Sequence, residues 1–254
     1  MNYTNIFKEM VESLKANSHI HINHFLMLDA NLNNIVEVEN KLGYELDQNI
    51  KDFYSECGGI QLVWTHKANS HYEALKQFNE NNQQLDYEWG YIDYCGYDGS
   101  IMIPPIQEVF LSEWYDVIYF DFTIEDRRTI VFDGNEYIEP DFSKRIKPFD
   151  RYSQYHDMAF FLDGTSNPKL ILGDDHQACY TDSRLITFTD YMKFLIYSKG
   201  ATEARSNFFS KYNGHALDTV NATQIDSLPP IDFSTYVDDR LFMPFEGNYW
   251  SSKE

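Results

Sequence analysis

Between Arg145 and Ser183 the chain sets four short apolar runs so close together that they constrain the kind of sheet it can form. The runs are RIKPFD (Arg145–Asp150), MAFFLDG (Met158–Gly164), PKLILGDD (Pro168–Asp175) and ACYTDS (Ala178–Ser183), broken by Gly, Asn, Asp and Pro. Parallel neighbours need a crossover of about a dozen residues or more, usually a helix. The gaps here are too short for that, so the second half of the chain predicts antiparallel hairpins.

The first half is written in helical spacing. Ile6, Met10 and Leu14, with Phe7 and Val11 alongside, predict an amphipathic helix over residues 3–16. HIHINHFLML follows as a short strand or an irregular link. A second helix, capped by Asn33 or Asn34, carries Ile35, Val38, Glu39 and Leu42 and stops at Gly43. A third follows Asp47 as its cap, with Ile50, Phe53, Tyr54 and Cys57 on one face, and ends at Gly58-Gly59. IQLVW (Ile60–Trp64) then reads as a buried strand. Residues 69–85 predict a further helix. Ser100–Trp114 reads as a strand ending at Pro104-Pro105 and then a short helical turn, because Pro cannot donate to a central ladder. RTIVFDG is strand, then turn. FTDYMKFLIYS (Phe188–Ser198) is a closing helix capped near Thr189 or Asp190, burying Tyr191, Phe194 and Leu195, and residues 201–212 predict one more. Past Asn213-Gly214 the periodicity is lost. Helices leading into a strand meander and closed by helices give an α+β class, a mostly antiparallel sheet flanked by N- and C-terminal helices.

Composition narrows the function classes. Of 254 residues 43% are hydrophobic and 17% aromatic, enough for a packed core. Twenty basic against forty acidic residues leave a formal charge of −20. That balance argues against nucleic acid and anionic membrane surfaces, both of which call for Lys and Arg. It suits a basic protein partner. Cys57, Cys95 and Cys179 are odd in number and form no CxxC, which points to a reducing compartment. With no secretory leader pattern and no run of about 18 apolar residues, the expected location is the cytoplasm.

The segment NNIVEVENKLGYELDQNIKDFYSECGGIQLVW resembles the opening of the SUKH superfamily, which includes bacterial immunity proteins and a family named for yeast cell-wall synthesis regulators. Ile35, Val38 and Glu39 lead into Leu42-Gly43. Leu46 follows, then the helix with Phe53 and Tyr54, then Gly58-Gly59 and an apolar strand. The Gly pair is expected to supply a left-handed turn into the sheet. IMIPPIQEVF, MAFFLDG, PKLILGDD and FTDYMKFLIYS resemble the family's later elements. The chain departs from the family in having Asp47 after Leu46, where Pro is common. The resemblance implies a SUKH-like domain over 28–198, an N-terminal helical extension over 1–27, and a C-terminal helix and tail over 199–254, packed on the domain or partly disordered. It also implies a cytoplasmic immunity protein that neutralises a cognate toxin by binding it. Such a module is not an enzyme and needs no metal or cofactor.

Four constellations merit weighing for chemistry. His19, His21 and His24 could share a metal on a bent strand, but read more simply as connecting-segment histidines. His156, Asp157, Asp174, Asp175 and His176 could converge across a hairpin and serve a metal-assisted hydrolase; FLDGTSNP and LGDDHQ are, however, written in turn chemistry. Cys179 near His176 lacks an orienting third group, and Cys57 lies on an apolar helix face. The acidic and aromatic middle is the most suggestive. Trp89, Asp93, Tyr94, Tyr97, Asp98, Glu113, Trp114, Asp116, Asp121, Glu125 and Asp126 interleave anchors with carboxylates, as a face for a basic partner would. The competing reading puts half of those aromatics in the core. SKRIKPFDR (Ser143–Arg151) reads as a solvated strand edge. A regulatory scaffold is a third possible role, and the oligomeric state stays open.

Overall fold

The computed structural model describes residues 2–81, 96–114, 129–153, 156–174, 186–209, 225, 228–237 and 239–243. Its class is α+β, helices mixed with antiparallel sheets.

Helix α1 (Tyr3–Ala16) starts at Asn2, whose side-chain oxygen accepts the Asn5 N–H, and buries Tyr3, Phe7, Met10, Val11 and Leu14. β1 (Ile20–Leu28) follows, so HIHINHFLML is a strand, with a bulge between Ile22 and His24. α2 (Leu32–Leu42) is capped by Asn31, earlier than either asparagine expected from sequence. Its side chain accepts the Asn33 N–H, and Gly43 closes the helix at φ +80°. α3 (Gln48–Glu56) is capped by Asp47 as the sequence predicts. β2 (Gly59–His66) is buried at every position. Next come α4 (Tyr72–Asn81), β3 (Gly99–Ile103) and α5 (Ile106–Leu111). β1, β2 and β3 form one antiparallel sheet, with Ile20 opposite His66 and Trp64 opposite Gly99.

Gly58 is present for a different reason from the one expected. Of the pair, Gly59 takes a positive φ (155°), whereas Gly58 does not. Its Cα lies against the backbone of the turn after β1, where a side chain would run into the Asp29 carbonyl. The Gly58 N–H donates to Leu28 O.

β4 (Thr129–Phe132) and β5 (Asn135–Ile138) form a hairpin through Asp133 (φ 49°) and Gly134 (φ 74°). Two left-handed residues at a two-residue turn match the twist of the flanking strands. The return strand is absent from the sequence reading because NEYI carries only two apolar residues. α6 (Glu139–Lys144) leads to β6 (Ile146–Asp150), β7 (His156–Phe161) and β8 (Lys169–Asp174), a second antiparallel sheet in the order β6-β7-β8. α7 (Phe188–Ser198), α8 (Thr202–Phe209), β9 (Tyr236–Val237) and β10 (Arg240–Leu241) complete the described elements. α7 is capped by Thr187 rather than Thr189 or Asp190. Asp190 sits at the third helical position, and its N–H donates to the Thr187 hydroxyl.

The sheets meet where β3 passes β6. The Met102 N–H donates to Asp150 Oδ1 at 2.7 Å, and Arg151 N–H points back to Met102 O. One main core runs from Tyr3 through β2, β6 and α7 to Met243. Phe53 is its aromatic hub, with ring contacts to Tyr3, Phe7, Tyr54, Phe149 and Phe188. Burying each such ring contributes about 2–3 kcal/mol.

This core runs across the boundary expected at residue 28. A boundary at residue 28 would cut through β1, and α1 packs into the same core as α3 and α7, so residues 1–27 are no extension. Ile225, Phe233, Leu241 and Met243 are buried in that core too, so those parts of the C-terminal region belong to the domain. Ser143–Arg151 is not a solvated edge. Ile146, Phe149 and Asp150 of this segment are fully or almost fully buried.

Candidate functional site

The acidic and aromatic face proposed from sequence divides under the structure. Trp89, Asp93, Tyr94, Asp116, Asp121, Glu125 and Asp126 lie outside the described residues. Glu113 is exposed, and its charge partly offsets the burial that lowers the pKa of Lys147. Three members turn inward. Trp114 is 7% exposed, packs with Phe132, Phe142 and Phe161, and gives its indole N–H to Val109 O. Tyr97 is 8% exposed and packs with Val63, Leu75 and Met102. Asp98 is spent internally, as described next. Residues predicted as partner anchors are therefore core and framework here, because aromatic side chains beside strands fill the nearest apolar space.

Asp98 precedes β3 and faces the end of β2. Its Oδ2 accepts the backbone N–H of His66 at 2.8 Å and the Asn69 amide at 2.9 Å. Its Oδ1 accepts the Tyr236 hydroxyl at 2.9 Å. Burial raises its pKa above the usual carboxylate value, and these hydrogen bonds pull it part of the way back. His66 is 2% exposed. Its Nδ1 accepts the Ala68 N–H at 3.0 Å and its Nε2 lies 2.8 Å from Phe233 O. That pairing is satisfied by the neutral ring with its proton on Nε2. The imidazole lies between the rings of His19 and Tyr236, nearly parallel to both. Phe233 closes the knot, edge-on to Trp64, whose indole N–H donates to Lys199 O. The whole arrangement pins residues 233–236 across the end of the first sheet.

The second polar constellation is deeper. Arg205 and Asp150 are both fully buried and paired at 2.5 Å. The Tyr191 hydroxyl also donates to Asp150 Oδ2, and Arg205 donates to Ser100 O and Gly200 O. The guanidinium carbon lies 3.9 Å from the Tyr152 ring centroid. Burial, the largest single influence, opposes the Arg205 charge, but Asp150, Tyr191 and Tyr152 acting together raise the pKa. The same burial, with Asp150 beside it, holds the Tyr191 phenol well above its ordinary value. The charges themselves do not mark this pair in the sequence. Asp150 stands next to Arg151 in a mixed-charge segment, and Arg205 sits in an unremarkable helix. The available signal is Ala201 and Ala204 beside Arg205, small residues that let a helix approach a sheet closely.

His19, His21 and His24 do not converge. His19 stacks on His66, His21 meets Tyr72 edge-on, and His24 Nε2 lies 2.9 Å from Gln61 Oε1. In the other group the register places His156 opposite Asp174, while Asp175 and His176 lie outside the described residues. The His156 ring is engaged by the Ser153 hydroxyl at 3.1 Å and stacks on Tyr152, and Asp157 is buried. Among the described residues no group of three His, Cys, Asp or Glu side chains is placed to hold a metal ion. Cys57 is buried, its Sγ 3.4 Å from Gly59 O, and burial pushes its thiol up to about 11. Cys179 lies outside the described residues. No helix among the described residues is long and apolar enough to cross a membrane.

Compared with protein-family models, curated proteins and solved structures, the chain matches none.

Proposed function

We propose that this chain is a non-catalytic protein-binding module, a cytoplasmic immunity protein of SUKH type that occupies a basic toxin domain and blocks it. The observation that carries the reading is electrostatic. A net charge of −20 on 254 residues is a field that draws in a cationic protein and speeds its encounter. The local structure supports it as well. A helix closed by Gly43, a second helix capped by Asp47 and a buried strand starting at Gly59 are compatible with it. The partner-facing set is Trp89, Asp93, Tyr94, Glu113, Asp116, Asp121, Glu125 and Asp126; Tyr97, Asp98 and Trp114 are withdrawn from it.

The test is co-expression with whatever toxin-like gene stands beside this one in its genome, followed by binding of the two purified proteins. Growth is restored, and the association rate falls steeply as salt rises. Replacing Glu113 and Asp116 by Lys slows association further. Failure to protect cells, or salt-independent association, sinks the reading.

A further inference from the structure

Among the described residues, α2 carries two large apolar side chains that the fold does not use. Leu32 is 62% exposed and Val36 is 56% exposed. They stand four residues apart, one turn from each other on the same side of the helix. The adjoining face buries Ile35 and Val38 in the main core, so α2 is already anchored there and Leu32 and Val36 border that face on its solvent side. Single exposed aliphatics are ordinary on protein surfaces. A pair at this spacing is the pattern by which an amphipathic partner reads a helix.

The rim says what kind of partner. Asp29, just before the helix, and Glu37, one residue beyond Val36, are both exposed, and Glu37 keeps Oε1 for a partner while its Oε2 accepts the Gln107 side-chain amide. A second copy of the chain is a poor occupant, because it would bring another −20 to the same place. A cationic segment gains what a second copy loses. We propose that the solvent face of α2 is a docking surface for a cationic protein segment. An apolar side chain of the partner seats on Leu32 and Val36, and its Lys or Arg side chains meet Asp29 and Glu37. This rests on the binding-module reading and adds to it a second, described face.

The experiment titrates the full-length, isotopically labelled chain with a synthetic amphipathic peptide of Lys and Leu at low ionic strength. The control peptide has every Leu replaced by Gln at the same charge. The expected result is that amide signals of residues 29–40 move with the Leu-containing peptide. The double variant Leu32→Gln/Val36→Gln then weakens that peptide by about tenfold or more, and leaves the weaker control peptide unaffected. Leu32→Ala, which keeps helix propensity, gives a smaller loss in the same direction and guards against a misfolded double variant. Shifts confined to other surfaces, with unchanged affinity in the variants, overturn the α2 assignment and leave the binding-module reading standing. Self-association through α2 overturns it as well. No response to either peptide overturns the α2 assignment, while the co-expression and salt-dependence test decides the binding-module reading on its own.

Discussion

Arg205 reaches from α8 into the seam between the two sheets and meets Asp150 with neither residue exposed to solvent. Asp150 Oδ1 takes the Met102 N–H of β3, and Oδ2 takes Arg205 and Tyr191. One carboxylate therefore joins β3, β6, α7 and α8. It ties the two sheets together beside the Arg151 N–H to Met102 O bond and the apolar packing of Ile101 and Ile103 with Phe149.

Removing one charge of such a pair leaves the other buried without compensation. Arg205→Met is expected to cost about 3–5 kcal/mol, and Asp150→Leu, which also orphans the Met102 N–H, a similar amount. The double variant costs less than the two losses added, because no stranded charge remains. Urea denaturation of the four proteins gives the coupling energy directly. Losses that simply add would mean that the pair does not act as a unit.

Glycine positions separate conformational cost from steric cost. Gly43 has φ +80° with open space where a Cβ would go, so Gly43→Ala pays backbone strain alone, about 1 kcal/mol. At Gly99 a Cβ would fall inside the Trp64 indole. Gly99→Ala is expected to cost about 3 kcal/mol, because the ring must leave a packed site. Denaturation midpoints rank the two variants, and the fluorescence of Trp64 shifts only in the second. Equal losses would contradict this contrast.

The sequence made the local elements legible where spacing alone decides them. α1, α3 and α7 follow their apolar periodicity, and Pro104-Pro105 ends β3 as expected. What it hid was partnership over distance. Asp150 and Arg205 look like ordinary surface charges until α8 folds onto β3. Asp98 and Trp114 look like a binding face until the end of β2 and the second aromatic cluster claim them. β5 was hidden because a hairpin strand exposed on one face needs few apolar residues. Of the expected partner face, Glu113 is the one described residue that remains exposed.

Cys57 offers a chemical probe of the main core. Its thiol is pushed up to about 11 by burial, with Gly59 O as hydrogen-bond partner. Only the thiolate is nucleophilic, so the native protein should leave Cys57 unalkylated by iodoacetamide at pH 8 for hours. Adding denaturant should make it react at once. Peptide mapping follows Cys57 separately from the other two cysteines. Rapid native labelling would show that α3 opens readily.

Asp98 gives a pH dependence of definite sign. Burial raises its pKa above 3.8, and its hydrogen bonds from Asn69, His66 and Tyr236 do not fully offset this. A group with a raised folded pKa binds its proton more tightly in the native state than in the unfolded one. Its contribution to stability is therefore complete below about 3.8 and is lost as pH rises through the folded value. A carboxylate held by a salt bridge behaves in the opposite way. Many carboxylates titrate in this range, so the informative quantity is the stability of the native protein minus that of Asp98→Asn at each pH. That difference should be largest in acid and decline as pH rises above 3.8, with the Asp98 carboxyl resonance titrating over the same interval. A difference that grows with pH would mean that the bonds from Tyr236, Asn69 and the His66 N–H outweigh burial, and that the knot at the end of β2 is held together by the ionised carboxylate.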